Sequence, residues 1–163
     1  MKIGIISDTH DLLRPEIVKE LQGCDSILHG GDISSRKILD ELEKIAPVKV
    51  VRGNNDKEWA EDLPLSLEFD LGGQRICMAH KKKDLPKDLS KYDLVVYGHS
   101  HQYSATWLES SDHKRTLLLN PGSCGPRRFH QAITMAVLTA GNDGWIVNRI
   151  DIQRPLPKEK GNC

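Results

Sequence analysis

The chain has 163 residues, enough for one domain with a substantial apolar interior. With 38% apolar and 28% charged residues, its composition is that of an ordinary water-soluble globular protein. The 23 basic and 23 acidic side chains cancel, which argues against a nucleic-acid or anionic-membrane surface, since either needs a basic excess over a broad face.

The first apolar stretch, Ile3–Ile6, falls far short of the roughly 20 residues of a membrane span. It runs straight into Asp8, so Lys2–Ser7 is predicted to be a buried strand rather than a leader. A helix follows, with Pro15 at an early position, Ile17, Val18 and Leu21 on one face, and Gly23 at its end. Ser26–His29 is the second strand. Ile38, Leu39, Leu42 and Ile45 then make the stripe of a second helix, opened by Ser34 or Ser35 and stopped by Pro47. Val48–Val51 completes a β-α-β-α-β half with parallel strands buried on both faces.

The pattern then changes. Leu65, Leu67, Phe69 and Leu71 alternate with polar residues before Gly72-Gly73, predicting a half-exposed strand entering a tight hairpin. Arg75–Ala79, Asp93–Tyr97 and Thr116–Leu119 read as further strands. Gln131–Thr139 and Trp145–Ile152 flank a turn at Ala140–Gly144. A parallel half followed by hairpins predicts an α/β fold with two mixed sheets and helices outside, one domain over residues 1–153 and a frayed tail over 154–163. Cys24, Cys77, Cys124 and Cys163 form no C-x-x-C pair, which fits a reducing, cytoplasmic home.

Polar motifs follow these apolar runs in a fixed order: Asp8-Thr9-His10, Gly31-Asp32, Gly53-Asn54, His80, and Gly98-His99-Ser100-His101. Ligands of open α/β sheets bind beyond the carboxyl ends of the strands, so the fold is expected to gather these motifs at one rim. Gly30, Gly31, Gly53 and Gly98 would let the backbone turn sharply there. The seven side chains Asp8, His10, Asp32, Asn54, His80, His99 and His101 suffice for two divalent ions. Such a pair, about 3.5–4 Å apart, needs an anion between its members, and Asp32 is the expected bridge. Mixed nitrogen and oxygen donors suit Mn²⁺, Fe, Zn²⁺, Co²⁺ or Ni²⁺ better than Mg²⁺ or Ca²⁺. Water held between two such ions ionises near neutral pH and can attack phosphorus.

Asp8-Thr9-His10, Gly31-Asp32, Gly53-Asn54-Asn55-Asp56 and Gly98-His99-Ser100-His101, together with Asn120-Pro121-Gly122-Ser123, resemble the calcineurin-like metallophosphoesterases, in particular their small bacterial and archaeal phosphodiesterase branch. The resemblance implies a four-layer α/β/β/α sandwich. It also implies that Asp8, His10 and His101 hold one metal, that Asn54, His80 and His99 hold the other, and that Asp32 bridges them. Asp32, Asn54 and His99 are then the catalytic set and Mn²⁺ is the expected metal. The implied activity is phosphodiester hydrolysis of a small phosphate ester. Phosphomonoesterase or pyrophosphatase action on the same centre is the alternative, and a homodimer or homotetramer is expected by analogy. The family also includes a retromer subunit that serves as a docking scaffold after its metal site decayed; here the ligand histidines are all in place.

Two departures stand out. Many family members carry His where this chain has Asn55, and an amide cannot protonate a leaving group. The usual Gly after the His80 position is Lys81, followed by Lys82 and Lys83. Asn55, Lys81 and Arg127 are the candidate substrate contacts, with Arg128 and His130 near the last. His29 reads as a hydrogen-bonded core residue and His113 as a solvated one. Asp56 either orients a ligand or caps a short helix at Lys57–Ala60. Cys124 has no base partner and is no nucleophile; Trp59, Trp107 and Trp145 are too scattered to stack bases.

Overall fold

The computed structural model describes residues 1–128, 130–141 and 144–153. The turn expected at Ala140–Gly144 lies partly outside the described residues, and the tail 154–163 lies wholly outside them. In chain order the elements are β1 (Lys2–Ile6), α1 (Pro15–Leu21), β2 (Ser26–His29), α2 (Arg36–Glu43), β3 (Val48–Val50), β4 (Ser66–Leu71), β5 (Gln74–Ala79), β6 (Leu94–Val96), β7 (Tyr103–Glu109), β8 (Arg115–Pro121), β9 (Ile133–Gly141) and β10 (Gly144–Ile152).

The strands form two mixed five-stranded sheets, ordered β10-β9-β1-β2-β3 and β4-β5-β6-β8-β7. In the first, β1, β2 and β3 are parallel, while β9 runs antiparallel to β1 and β10 to β9. In the second, β5, β6 and β8 are parallel and antiparallel β4 and β7 flank them. Ile3, Ile5 and Leu28 of the first sheet meet Ile76, Met78, Leu94, Val96, Leu117 and Leu119 of the second in the central core. The outer face of the first sheet is covered by α1 and α2 through Ile17, Leu21, Ile38, Leu39 and Leu42. The outer face of the second packs Cys77, Tyr92, Val95 and Leu118 against Leu85 and Leu89. That fourth layer is an irregular segment with one 3-10 turn at Lys82–Asp84. Among the described residues no helix is long and apolar enough to cross a membrane.

Two strands differ from expectation. β3 is an edge strand and only partly covered, so it is not buried on both faces. β7 was not anticipated: it is a largely exposed edge strand hairpinned onto β8 through Ser110–Lys114. Trp145 belongs to the central core, whereas Trp107 is partly exposed. Gly72 and Gly73, both with positive φ, form the two-residue hairpin turn between β4 and β5.

Candidate metal centre

The parallel strands of both sheets end at one rim, and hydrogen bonds across the sandwich lock their exit loops together. Gly30 N–H donates to the Ile6 carbonyl (2.8 Å) and Asp8 N–H to that of Gly31 (3.0 Å). Gly98 N–H donates to the His80 carbonyl (2.9 Å). Between sheets, Ser123 Oγ donates to the Asp8 carbonyl (3.0 Å). Asn120 Nδ2 donates to the Gly98 carbonyl (3.0 Å) and to Ser100 Oγ (3.0 Å). The Asn120–Ser123 segment thus fastens the Asp8 and His99 loops, a role its residue types alone do not reveal.

The backbone conformation at this rim is unusual. Asp8, His10, Asp32, His99 and His101 all have positive φ, between 44° and 70°. Such conformations cost of order 1–3 kcal/mol each in non-glycine residues and gather at functional sites. The sharp turns therefore lie mostly in the candidate ligand residues themselves. Of the four glycines expected to make them, only Gly31 has positive φ. Gly53 and Gly98 instead permit close approach: a Cβ on Gly53 would strike Asp32, and one on Gly98 would strike Ser7 Oγ.

Two groups of ligand atoms result. Asp8, His10 and His101 converge, as do Asp32, His80 and His99, with ligand atoms in each group within 4.8 Å of one another. In the first group, Ser7 Oγ (2.6 Å) and the His99 N–H (3.1 Å) both donate to Asp8 Oδ2. Asp8 Oδ1 is buried with no hydrogen-bond partner, 3.1 Å from His101 Nε2 and 3.8 Å from His10 Nε2. The two imidazole Nε2 atoms stand 3.2 Å apart. Burial, and next the charge of Arg128, push the His10 pKa down, which favours the neutral form a metal needs.

In the second group, His80 Nδ1–H donates to the Gly30 carbonyl (2.8 Å), which turns Nε2 toward Asp32 Oδ2 (3.4 Å) and Asn54 Oδ1 (3.1 Å). A ring nitrogen facing two oxygens calls for a proton or a cation between them. Burial works to lower the His80 pKa, but Asp32 and Asp8 outweigh it and raise it. Burial likewise works to raise Asp32, yet His80 and Asn55 hold it well below the usual carboxylate range. Asp32, only 2% exposed, also places Oδ2 3.8 Å from His10 Nε2, so this carboxylate faces both groups. Burial, followed by the charges of His80 and Lys81, pushes the pKa of His99 down. An orphaned buried carboxylate oxygen, four imidazoles and a second anionic carboxylate fit a borderline divalent metal.

The expected substrate contacts fall differently. Asn55 is committed to Asp32, its N–H donating to Oδ1 (2.8 Å) and its Nδ2 to Oδ2 (2.7 Å). Arg127 Nη1 donates to the Gln131 carbonyl (3.0 Å), and Arg128 lines the space beside His99 and His101 instead. Nothing in two adjacent arginines distinguishes them by sequence. Lys81 remains beside His99. Asp56 does not cap the turn at Glu58–Ala60; it accepts from the N–H groups of Ile33, Ser34 and Gly53 (each 2.8 Å). Cys124 is buried, which pushes its thiol up to about 12, and its Sγ donates to the Ser7 carbonyl (3.5 Å).

A family model described as the calcineurin-like phosphoesterase superfamily domain matches residues 1–143. The chain belongs to the calcineurin-like phosphoesterase superfamily. This phosphoesterase is 36% identical over 137 residues to a Methanothermobacter thermautotrophicus protein named "Probable metallophosphoesterase", covering 76% of this chain and 77% of that one. It is 34% identical over 146 residues to a phosphodiesterase of Methanocaldococcus jannaschii, covering 76% and 84% respectively. Wild-type Vps29 of Entamoeba histolytica, solved in complex with Zn²⁺, matches with a TM-score of 0.66 at 22% identity, covering 93% of this chain and 99% of that one. That last likeness bears on the fold alone.

Proposed function

We propose that this phosphoesterase is a metal-dependent phosphodiesterase with a dinuclear centre. Asp8, His10 and His101 would hold one ion, Asn54, His80 and His99 the other, and Asp32 would bridge them. The observation that carries this reading is the position of Asp32 Oδ2, within 3.8 Å of an imidazole nitrogen from each group. Bound divalent ions supply Lewis acidity, polarising phosphoryl oxygens and acidifying water. The protein contributes prealigned ligands: Ser7 and the His99 N–H fix Asp8, Gly30 fixes His80, and Asn55 fixes Asp32. Arg128 adds positive charge beside His99 and His101, suited to a phosphoryl oxygen. The diester preference is supported by the name of the Methanocaldococcus relative.

A docking scaffold on the same fold is the second reading, motivated by the Vps29 likeness. The intact donor set and the strained backbone that holds it favour the enzyme. Metal analysis of chelator-free protein should find two transition-metal ions per chain. With added Mn²⁺, bis(p-nitrophenyl) phosphate should be hydrolysed faster than p-nitrophenyl phosphate, and Asp32→Asn should abolish both activities. Because Asn55 cannot donate a proton to a leaving group, rates across substituted phenyl diesters should fall steeply as leaving-group pKa rises. Protein that takes up no metal and hydrolyses neither ester even with Mn²⁺ would be a scaffold.

A further inference from the structure

Two cavities of about 230 Å³ each open beside the ligand cluster, and both are bounded by His101 and Gln131. Their walls differ in charge. The first is lined by His99, Ser100, His101, Arg128 and Gln131, so it carries a guanidinium next to the metal ligands. The second is lined chiefly by His101, Gln102, Tyr103, Gln131, Thr134 and Arg149. Among the described residues its one permanent cation is ion-paired: Arg149 Nε and Nη2 donate to Asp151 Oδ2 (2.9 Å) and Oδ1 (2.6 Å). The same guanidinium lies 4.8 Å over the Tyr103 ring, joining the edge strands of the two sheets.

The second wall is also built to hold its shape. Gln131 N–H donates to the Arg128 carbonyl (3.3 Å), and the Gln131 carbonyl accepts from Arg127 (3.0 Å). Thr134 Oγ1 donates to the Pro121 carbonyl (2.7 Å). Among the described residues, what faces the space is therefore a pair of amides and an aromatic ring capped by an ion-paired guanidinium, with no unpaired permanent charge. Such a surface matches hydrogen-bonding groups on a neutral ring and repays a second phosphate poorly, since that anion would lose water next to Asp151 without gaining a free cation. The volume is below the roughly 300 Å³ at which sites for drug-sized ligands begin, which suits a single ring with its hydroxyls.

We propose that the cavity bounded by Gln102, Tyr103, Gln131 and Arg149 binds the uncharged ester substituent of a phosphodiester, a polar ring-bearing alcohol of nucleoside type. This rests on the phosphodiesterase reading for the phosphoryl position, and it separates diester hydrolysis from pyrophosphate hydrolysis on the same centre.

Calorimetric titration of the Mn²⁺-loaded protein tests binding independently of turnover. Thymidine 5′-phosphate should bind about tenfold more tightly than methyl phosphate, a difference expected from one or two added hydrogen bonds. Pyrophosphate should gain no such advantage. In Gln102→Ala/Gln131→Ala protein, whose backbone contacts are retained, the preference for thymidine 5′-phosphate should fall to about threefold or less. Equal affinity for the two monophosphates, tighter binding of pyrophosphate, no binding of thymidine 5′-phosphate, or an undiminished preference in the double variant would each overturn the proposal. Discrimination that persists in a protein hydrolysing no ester would support this site while removing the enzymatic reading.

Discussion

His29 is in neither ligand group, yet it braces the loop that carries Asp32. Gly31 N–H donates to its Nδ1 (3.1 Å), so Nε2 bears the proton and donates to Thr9 Oγ1 (3.0 Å), which donates in turn to the Ile33 carbonyl (3.3 Å). Complete burial pushes the imidazole down to about 3 from an ordinary 6.5. Between those values the unfolded chain binds a proton that the folded one refuses, so this residue's contribution to stability falls as pH drops below 6.5. The linkage slope is about 1.4 kcal/mol per pH unit. Urea unfolding of metal-free protein at pH 7.5 and 5.5 should show this loss, and a His29→Gln variant, though less stable at pH 7.5, should show a smaller one. His80 acts in the opposite sense, because its raised pKa adds stability that disappears as pH rises through that value. At this scale the sequence was informative about identity and silent about direction. The seven expected ligands all reach the rim because each follows a strand, whereas the commitment of Asn55 to Asp32 and the choice of Arg128 over Arg127 depend on loop geometry that no spacing encodes.

Among the elements, the loops at the ends of β2 and β3 matter most to the centre, and Asp56 ties them together. Its carboxylate takes the N–H groups of Ile33 and Ser34 from one loop and Gly53 from the other, while Arg52 Nε donates to the Asp56 carbonyl (3.2 Å). Asp56→Ala would leave two buried donors, the N–H groups of Ile33 and Gly53, and the part-buried one of Ser34 unsatisfied, a loss on the order of 2 kcal/mol or more. Chemical denaturation of the metal-free variant should register that loss, and Mn²⁺ affinity should fall although Asp56 is not among the proposed ligands. Strand-level reading succeeded where apolar runs are short and bounded, as in β1, β2, β5 and β8. It failed at β7, because Tyr103–Glu109 is exposed on much of its length and lacks the alternation that marks a half-buried strand. The irregular cover over β5, β6 and β8 was equally hidden, since the i, i+4 spacing of Leu85 and Leu89 suggests a helix that Pro86 does not allow to extend back through Leu85.

For the molecule as a whole, two sheets that each contain three adjacent parallel strands bring those strands to one rim, and the central core keeps that rim in register. Cations bound there would stabilise only the folded form. At one hundred times its dissociation constant, Mn²⁺ should add about 2.7 kcal/mol per site. Calorimetry should therefore show a melting temperature raised by about 5–10 °C for one such site and lowered again by chelator. The two-sheet architecture was legible because a parallel half and a hairpin half use different hydrophobic periods; the pairing of β1 with β9 was not, because it joins residues far apart in the chain. The left-handed backbone at five of the ligand positions has a consequence for how such a protein changes over generations. Glycine at His10, His99 or His101 would delete a proposed ligand yet relieve torsion, by roughly 1 kcal/mol or more at each place. Loss of chemistry is thus downhill for the fold, and a lineage released from the need to turn over substrate would drift toward a sturdier, inert framework without any pressure to do so.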